Sequence, residues 1–297
     1  MLTQSSSDTS SFGTFSVQDP KALALLQNAT YTLAAPGPNA ARQEAPHLHD
    51  AVLDPTKKFL LFPDLGADLV RLFQIGVNNS IQALAPIKAV AGSGPRHAAF
   101  ATAGGNTYFY TLNELTNSIT GYRVAYKDGA APDFTQSFSF SLHGPGGSSP
   151  NGTKAAEIEV SVSIFLAINH IFSANKNFLQ PDQKFLIVSS RGENLLKIPN
   201  WNATNTTSIP SDPLVSFSID EKSGNITHVQ TAPAGGRNPR GFSLNKAGNL
   251  LVSALQDDNR VVVYERDVKT GLLGKVVASA VVGVGADNGP NYALFNE

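Results

Sequence analysis

Residues 46–75 read PHLHDAVLDPTKKFLLFPDLGADLVRLFQI, and this stretch decides the fold. A short apolar segment leads into a turn carrying Asp and Pro, then a β-rich run, a polar turn and a second β-rich run. Short runs of this kind, bounded by such turns, read as antiparallel strands. The unit returns as PRHAAFATAGGNTYFYTLNELTNSITGYRVAY over 95–126. It returns again as AAEIEVS (155–161) with PDQKFLIVSSRGENLLKI (181–198), and as PRGFSLNKAGNLLVSALQDDNRVVVYERD over 239–267. Pro46 and Pro95 are 49 residues apart (95 − 46), and Pro239 and Pro290 are 51 apart (290 − 239). A period of about 50 residues with four short strands per unit is the pattern of a β-propeller, and a β-sandwich would not produce the common spacing. The reading is all-β: one propeller domain over 1–297 built of four-stranded antiparallel blades. Blades are expected at about 46–90, 91–140, 155–235 and 236–285, with a partial blade over 13–35 and a closing strand over 290–296.

Composition removes several functions. The chain has 297 residues with 22 Lys+Arg against 23 Asp+Glu (22 − 23 = −1), and charged residues make up 15%. An average domain carries roughly 25%. Without a basic cluster no nucleic-acid partner is expected. The absence of cysteine excludes disulfide frameworks, Cys-ligated zinc and thiol nucleophiles together. No apolar run reaches the roughly 18 residues of a membrane helix, so no membrane partner is expected. Met1–Phe12 is neither basic nor apolar and does not read as a signal peptide. There is no G-x-S-x-G elbow, and the glycine-rich GSGPR and HGPGGSSPNG lack the lysine of a phosphate loop. They read as turns.

The motifs PHLHDAVLDP, FPDLGADLVRLF, GSGPRHAAF, TLNELTNSITGY, AAEIEVS, FLIVSSRGEN and NPRGFSLNKAGNLLVS, in this order, resemble the lactonase family of seven-bladed β-propellers. That family includes propeller-type 6-phosphogluconolactonase and the fungal 3-carboxy-cis,cis-muconate cyclase. The resemblance implies seven blades, and seven units of about 50 residues need roughly 350. The expectation is therefore an N-terminally shortened chain with four whole blades and a fragment at each end. A second departure is internal. Removing 162–180 (VSIFLAINHIFSANKNFLQ) joins EIEVS to PDQKFLIVSS and restores the strand–turn–strand rhythm. Its 19 residues correspond to 57 nucleotides (19 × 3), and Val-Ser and Gln can be spelled by intron ends, so the segment reads as an inserted loop or a retained intron.

In a propeller, residues starting the first strand of a blade and residues ending the second meet at one mouth of the channel. The strand-one starts here carry His47, His49, Arg96, His97, Glu157 and Arg240, and the strand-two ends carry Asp64, Glu114, Arg191 and Gln256. Singly, Asp64 could satisfy turn amides and a histidine could be a packing residue. By resemblance to the muconate cyclase, the catalytic set falls on His49, Arg96, Glu114 and Arg191. His47, Asp64, His97, Glu157, Arg240 and Gln256 are then substrate-binding candidates. Arginines would clamp carboxylates and carry developing charge, and His49 or Glu114 would move the proton. The expected substrate is a small lactone or a carboxylated diene, with lactone hydrolysis and cycloisomerisation both open. Neither account requires a metal or a cofactor.

Six N-x-[ST] sequons occur, at Asn28, Asn78, Asn151, Asn202, Asn205 and Asn225. With few lysines, they suggest an extracellular or cell-wall fungal glycoprotein in its full-length form, against a cytoplasmic one with unused sequons. The competing function is a non-catalytic propeller that binds a partner or carbohydrate.

Overall fold

The computed structural model describes residues 2–6, 8–19, 21–161, 183–283, 285 and 289–297, so the segment 162–180 lies outside the described residues. The chain divides into two compact units: Met1–Phe100 with Thr107–Ser139, and Ala101–Asn106 with Phe140–Glu297. Among the described residues the regular structure is β, apart from one 3-10 turn at Val77–Asn79. No helix among them is long and apolar enough to cross a membrane.

The first unit opens with β1 (Leu2–Ser6), β2 (Ser11–Asp19) and β3 (Ala22–Thr30), a three-stranded antiparallel sheet. The partial blade expected over 13–35 thus begins earlier. The polar MLTQSSS stretch gives no apolar signal, yet it pairs in register from Leu2 opposite Phe15 to Ser6 opposite Ser11. Next come β4 (Val52–Leu53), β5 (Phe59–Asp64), β6 (Leu69–Ile75), β7 (Ile81–Ala83) and β8 (Ile87–Lys88). Both β7 and β8 pair with β6, so the outer strand of this blade is broken in two. All of β5 is buried, which explains its unbroken apolar reading. A further sheet follows, of β9 (Pro95–Ala103), β10 (Asn106–Asn113), β11 (Ser118–Ala125) and β12 (Asp133–Ser141), in sequential order.

The core of this unit lies between successive sheets. Phe12 stacks on Phe62 (ring centroids 4.6 Å apart) and meets Phe73 edge-on at 5.0 Å, with Leu48, Leu60 and Ile81 closing that layer. Phe59, Leu61, Val70 and Leu72 pack on Ala98, Phe109, Tyr122 and Val124 in the next. Period-two alternation makes this possible, since each strand sends residues to two sheet faces.

The second unit holds β13 (Lys154–Val160), β14 (Phe185–Arg191), β15 (Leu196–Pro199), β16 (Ser208–Ser211), β17 (Pro213–Ile219) and β18 (Ile226–Pro233). The blade is β13-β14-β17-β18, and β15-β16 form a separate two-stranded hairpin between its second and third strands. The last blade is β19 (Pro239–Leu244), β20 (Leu250–Leu255), β21 (Arg260–Arg266) and β22 (Leu273–Val281). Ile187, Leu214, Phe242, Leu251, Leu255 and Val262 belong to the layer between the two. A buried carboxyl also links them: Glu159 on β13 accepts the Leu244 amide at 3.0 Å, and burial with the nearby Glu157 pushes its pKa up to about 8.

The closing strand expected over 290–296 is not formed as a ladder strand. Ser243 Oγ donates to the Ala293 carbonyl at 2.8 Å and the Lys246 amide donates to Glu297 Oε2 at 3.1 Å. These side-chain bonds tie the segment to Ser243 of β19 and to the turn after that strand, and Pro290 offers no amide to start a ladder.

Candidate active site

The site of the first unit is assembled by two aspartates that fix turns. Leu48 bridges to Asp64, the His49 amide donates to the Pro63 carbonyl (3.1 Å), and Leu48 itself is fully buried. Alternation then sends His47 and His49 to the face opposite Leu48. Asp64, also fully buried, accepts the amides of His47 (2.8 Å) and Ala67 (3.1 Å) and the guanidinium of Arg71 (2.7 and 2.8 Å). Arg71 in turn lies over the Tyr31 ring at 3.7 Å. Asp64 is occupied as a corner post, in keeping with the turn-amide alternative read from the sequence.

Gly66, in the same turn, has no room for a side chain, because a Cβ there would fall 1.7 Å from the Ala45 carbonyl oxygen. Asp68 accepts the amides of Gly92 (2.7 Å) and Gly94 (2.8 Å), fixing the GSG turn that delivers Arg96 to the start of β9. Gly94 has φ +62°, which favours glycine.

Arg96, 4% exposed, places Nε 3.1 Å from Glu114 Oε2 and Nη1 3.0 Å from His97 Nε2. Glu114 follows β10, where its amide donates to the Gly94 carbonyl at 2.8 Å. Its other oxygen accepts Arg42 Nη2 at 2.7 Å. Arg42 was not among the residues read from the sequence. It sits in the irregular segment before the PHLH motif, next to Gln43, whose buried amide donates to the Leu65 carbonyl at 2.9 Å and accepts the Asn39 amide at 3.1 Å. Only its place one loop ahead of a His-rich strand start hinted at it.

The carboxylate of Glu114 is therefore spanned by two guanidiniums. The Arg42 side chain is 40% exposed, so on that side the cluster is open to an anionic oxygen. The His49 ring lies 6.5 Å from that of His97. Burial first, and then the Arg96 charge, lower its pKa to about 3, with Glu114 opposing. At neutral pH His49 is an uncharged imidazole. His47 Nε2 meets Glu44 Oε1 at 2.9 Å. Among the described residues no three His, Asp or Glu side chains converge as metal ligands.

The second unit carries the remaining candidates. Arg191 ends β14 opposite Lys154, and its Nη2 donates to the Ala155 carbonyl at 3.3 Å. Asp212 fixes the turn that follows, accepting the amides of Gly192 (3.0 Å), Asn194 (2.8 Å) and Asn238 (2.8 Å). Glu157 is 6% exposed on β13. Arg240 Nη1 and Asn238 Nδ2 both donate to Gln256 Oε1 at 3.3 Å, so Arg240 and Gln256 meet. The structure thus brings His49, His97, Arg96 and Glu114 into one cluster of the first unit and pairs Arg240 with Gln256 in the second.

Consecutive four-stranded antiparallel sheets with cores between them define this protein as a β-propeller. The chain belongs to the family described as Lactonase, 7-bladed beta-propeller, whose model matches residues 2–287. It is 28% identical over 256 residues to a 6-phosphogluconolactonase of Formosa agariphila, covering 85% of this chain and 60% of that protein. It is 26% identical over 258 residues to a probable 6-phosphogluconolactonase of Arthroderma benhamiae, covering 86% and 56%. The chain thus spans somewhat more than half the length of these relatives. Among solved structures, the periplasmic gluconolactonase of Pseudomonas aeruginosa superposes with a TM-score of 0.68 at 24% identity, covering 93% of this chain and 65% of that one. At that identity the likeness concerns the fold.

Proposed function

We propose that this protein hydrolyses a small lactone bearing an anionic group, with 6-phosphogluconolactone the first candidate on the strength of its named relatives. The observation that carries the reading is the carboxylate of Glu114 held between Arg42 and Arg96 beside an uncharged His49. Two guanidiniums against one carboxylate leave a net positive cluster, suited to a phosphate or carboxylate. Glu114 is committed to the arginines and positions them. His49 is the member of the cluster with an available lone pair. An anion seated on Arg96 offsets one of the two main influences that keep the imidazole unprotonated, so substrate binding strengthens His49 as a base. His49 then takes a proton from water as the water oxygen attacks the lactone carbonyl. The carbonyl carbon–ring oxygen bond breaks, and the proton passes to the departing oxygen to give the hydroxy acid. An arginine carries the developing oxyanion.

The test is hydrolysis of 6-phosphogluconolactone and glucono-δ-lactone in a pH-stat, with 3-carboxymuconate as a third substrate. Turnover of a lactone above the uncatalysed rate, lost in Arg96→Ala, is expected. Turnover of the muconate alone would move the reading to cycloisomerisation. Turnover of none would leave the binding propeller as the function. An Arg191→Ala variant decides separately whether the role that resemblance gives Arg191 holds.

A further inference from the structure

Six sequons share one sequence pattern, but their local geometries differ. In the hairpin tip 200–207, Asn202 Oδ1 accepts both the Thr204 amide (3.1 Å) and the Thr204 hydroxyl (2.8 Å). Three residues on, Asn205 Oδ1 accepts the Thr207 amide (3.0 Å) and the Thr207 hydroxyl (2.8 Å). Both sequons are therefore closed Asx turns in which amide oxygen and hydroxyl are already joined and Nδ2 makes none of these bonds. Residues 202–208 are all exposed. The hairpin is additional to the four strands of its blade, and the first end of its tip loop is pinned, where Trp201 Nε1 donates to the Gly235 carbonyl (3.1 Å) and Arg260 lies over the indole at 4.7 Å. Trp201 alone of this loop packs on the core, and a bulky group on the exposed side chains of Asn202 or Asn205 is directed to solvent.

The other four sequons are set differently. Asn28 lies within β3, paired opposite Gly13 in the ladder. The Ser80 hydroxyl of the Asn78 sequon donates to the Val77 carbonyl at 3.0 Å. The Thr153 hydroxyl of the Asn151 sequon donates to the Pro150 carbonyl at 2.8 Å, and Thr153 is buried. Thr227 of the Asn225 sequon is held in the β18 ladder opposite Ser218.

We infer that the hairpin tip is the N-glycosylation site of this protein, at Asn202 and Asn205, ahead of the other four sequons. The donor is a polyprenyl-pyrophosphate-linked oligosaccharide. Asn Nδ2 bonds to the anomeric carbon, the carbon–pyrophosphate bond breaks, and the Nδ2 proton passes to a base of the transferase. Joining the hydroxyl to Oδ1 polarises the amide toward this reaction. Each Asx turn closes within three residues, so it needs no tertiary structure and is available in a nascent chain.

The test is secretion of the full chain from a yeast host behind a heterologous leader, with glycosidase digestion and peptide mapping of all six sites. The expected result is higher occupancy at Asn202 or Asn205 than at any other sequon. The endoglycosidase-sensitive mass shift should fall most in the Asn202→Gln/Asn205→Gln double variant. Thr204→Ser with Thr207→Ser, which keeps both hydroxyls, should retain the glycan, and Thr→Val at both should lose it. Equal or greater occupancy at Asn28, Asn78, Asn151 or Asn225 overturns the inference, as does a bare hairpin. Neither result bears on the lactonase reading, which is measured by turnover.

Discussion

His49 in the first unit and His143 in the second each lie near a buried glutamate, yet their pKa values are driven in opposite directions. The side chains of Glu114 and Glu193 are 2% and 1% exposed. Glu114 is engaged by Arg42 and Arg96, so burial and the Arg96 charge dominate and the imidazole drops to about 3. Both oxygens of Glu193 lie 3.0–3.1 Å from His143 Nε2, and that hydrogen bond, outweighing burial, raises the His143 pKa. A carboxylate beside an imidazole does not by itself set the charge of the ring. At His49 burial and the Arg96 charge outweigh it, whereas at His143 the direct hydrogen bond outweighs burial.

The largest effect should separate the turn-fixing aspartates of the two units. Buried Asp64 faces the guanidinium of half-buried Arg71, whereas Asp212 accepts three backbone amides. Asp64→Ala, leaving Arg71 without its partner, is expected to cost about 3–5 kcal/mol in urea unfolding. Asp212→Asn should cost about 1–3 kcal/mol, and equal costs would erase the distinction. Next, Arg96→Ala should lower kcat/KM for the lactone by about 10²–10³-fold. His143→Asn should leave it near the wild-type value, and the reverse pattern would relocate the chemistry.

A smaller effect is the pH dependence of stability, which should have opposite signs at the two histidines. Folded His49, at about 3, refuses a proton that the unfolded chain takes near 6.5, so its contribution falls as pH drops through that window. His143, raised, contributes below its ordinary value and loses that contribution as pH rises through the folded one. Melting temperature against pH should therefore flatten on the acid side in His49→Asn and on the alkaline side in His143→Asn. Parallel shifts in both variants would break the comparison. Smallest is Arg42→Ala: its side chain is 40% exposed, so stability should change by about 0–1 kcal/mol while KM for the lactone rises.

The blade pattern was legible because it is local: wholly buried runs such as FLLFPD and the turns around them repeat at one spacing. Contacts made across the chain were not. Arg42 reaches Glu114 over 72 residues from a segment without strand periodicity, and His143 reaches Glu193 over 50. Polar β1 has no apolar alternation and is a strand only because β2 is there to pair with it. At the other end, 290–296 carries the apolar residues of a strand but meets β19 through side chains. For the sequons the pattern was plain and the difference between them was not, because which oxygen a threonine hydroxyl meets depends on the turn.

The contact of Gly66 with the Ala45 carbonyl has a consequence for anyone diversifying this protein. The 37–45 loop, which carries Arg42, is the natural segment to randomise for new substrates, and its far end rests on a position that admits only hydrogen. A library that varies the loop while freezing Gly66 keeps its anchorage. One that also varies position 66 would mostly sample detached loops, and changes of specificity would be buried under changes of expression.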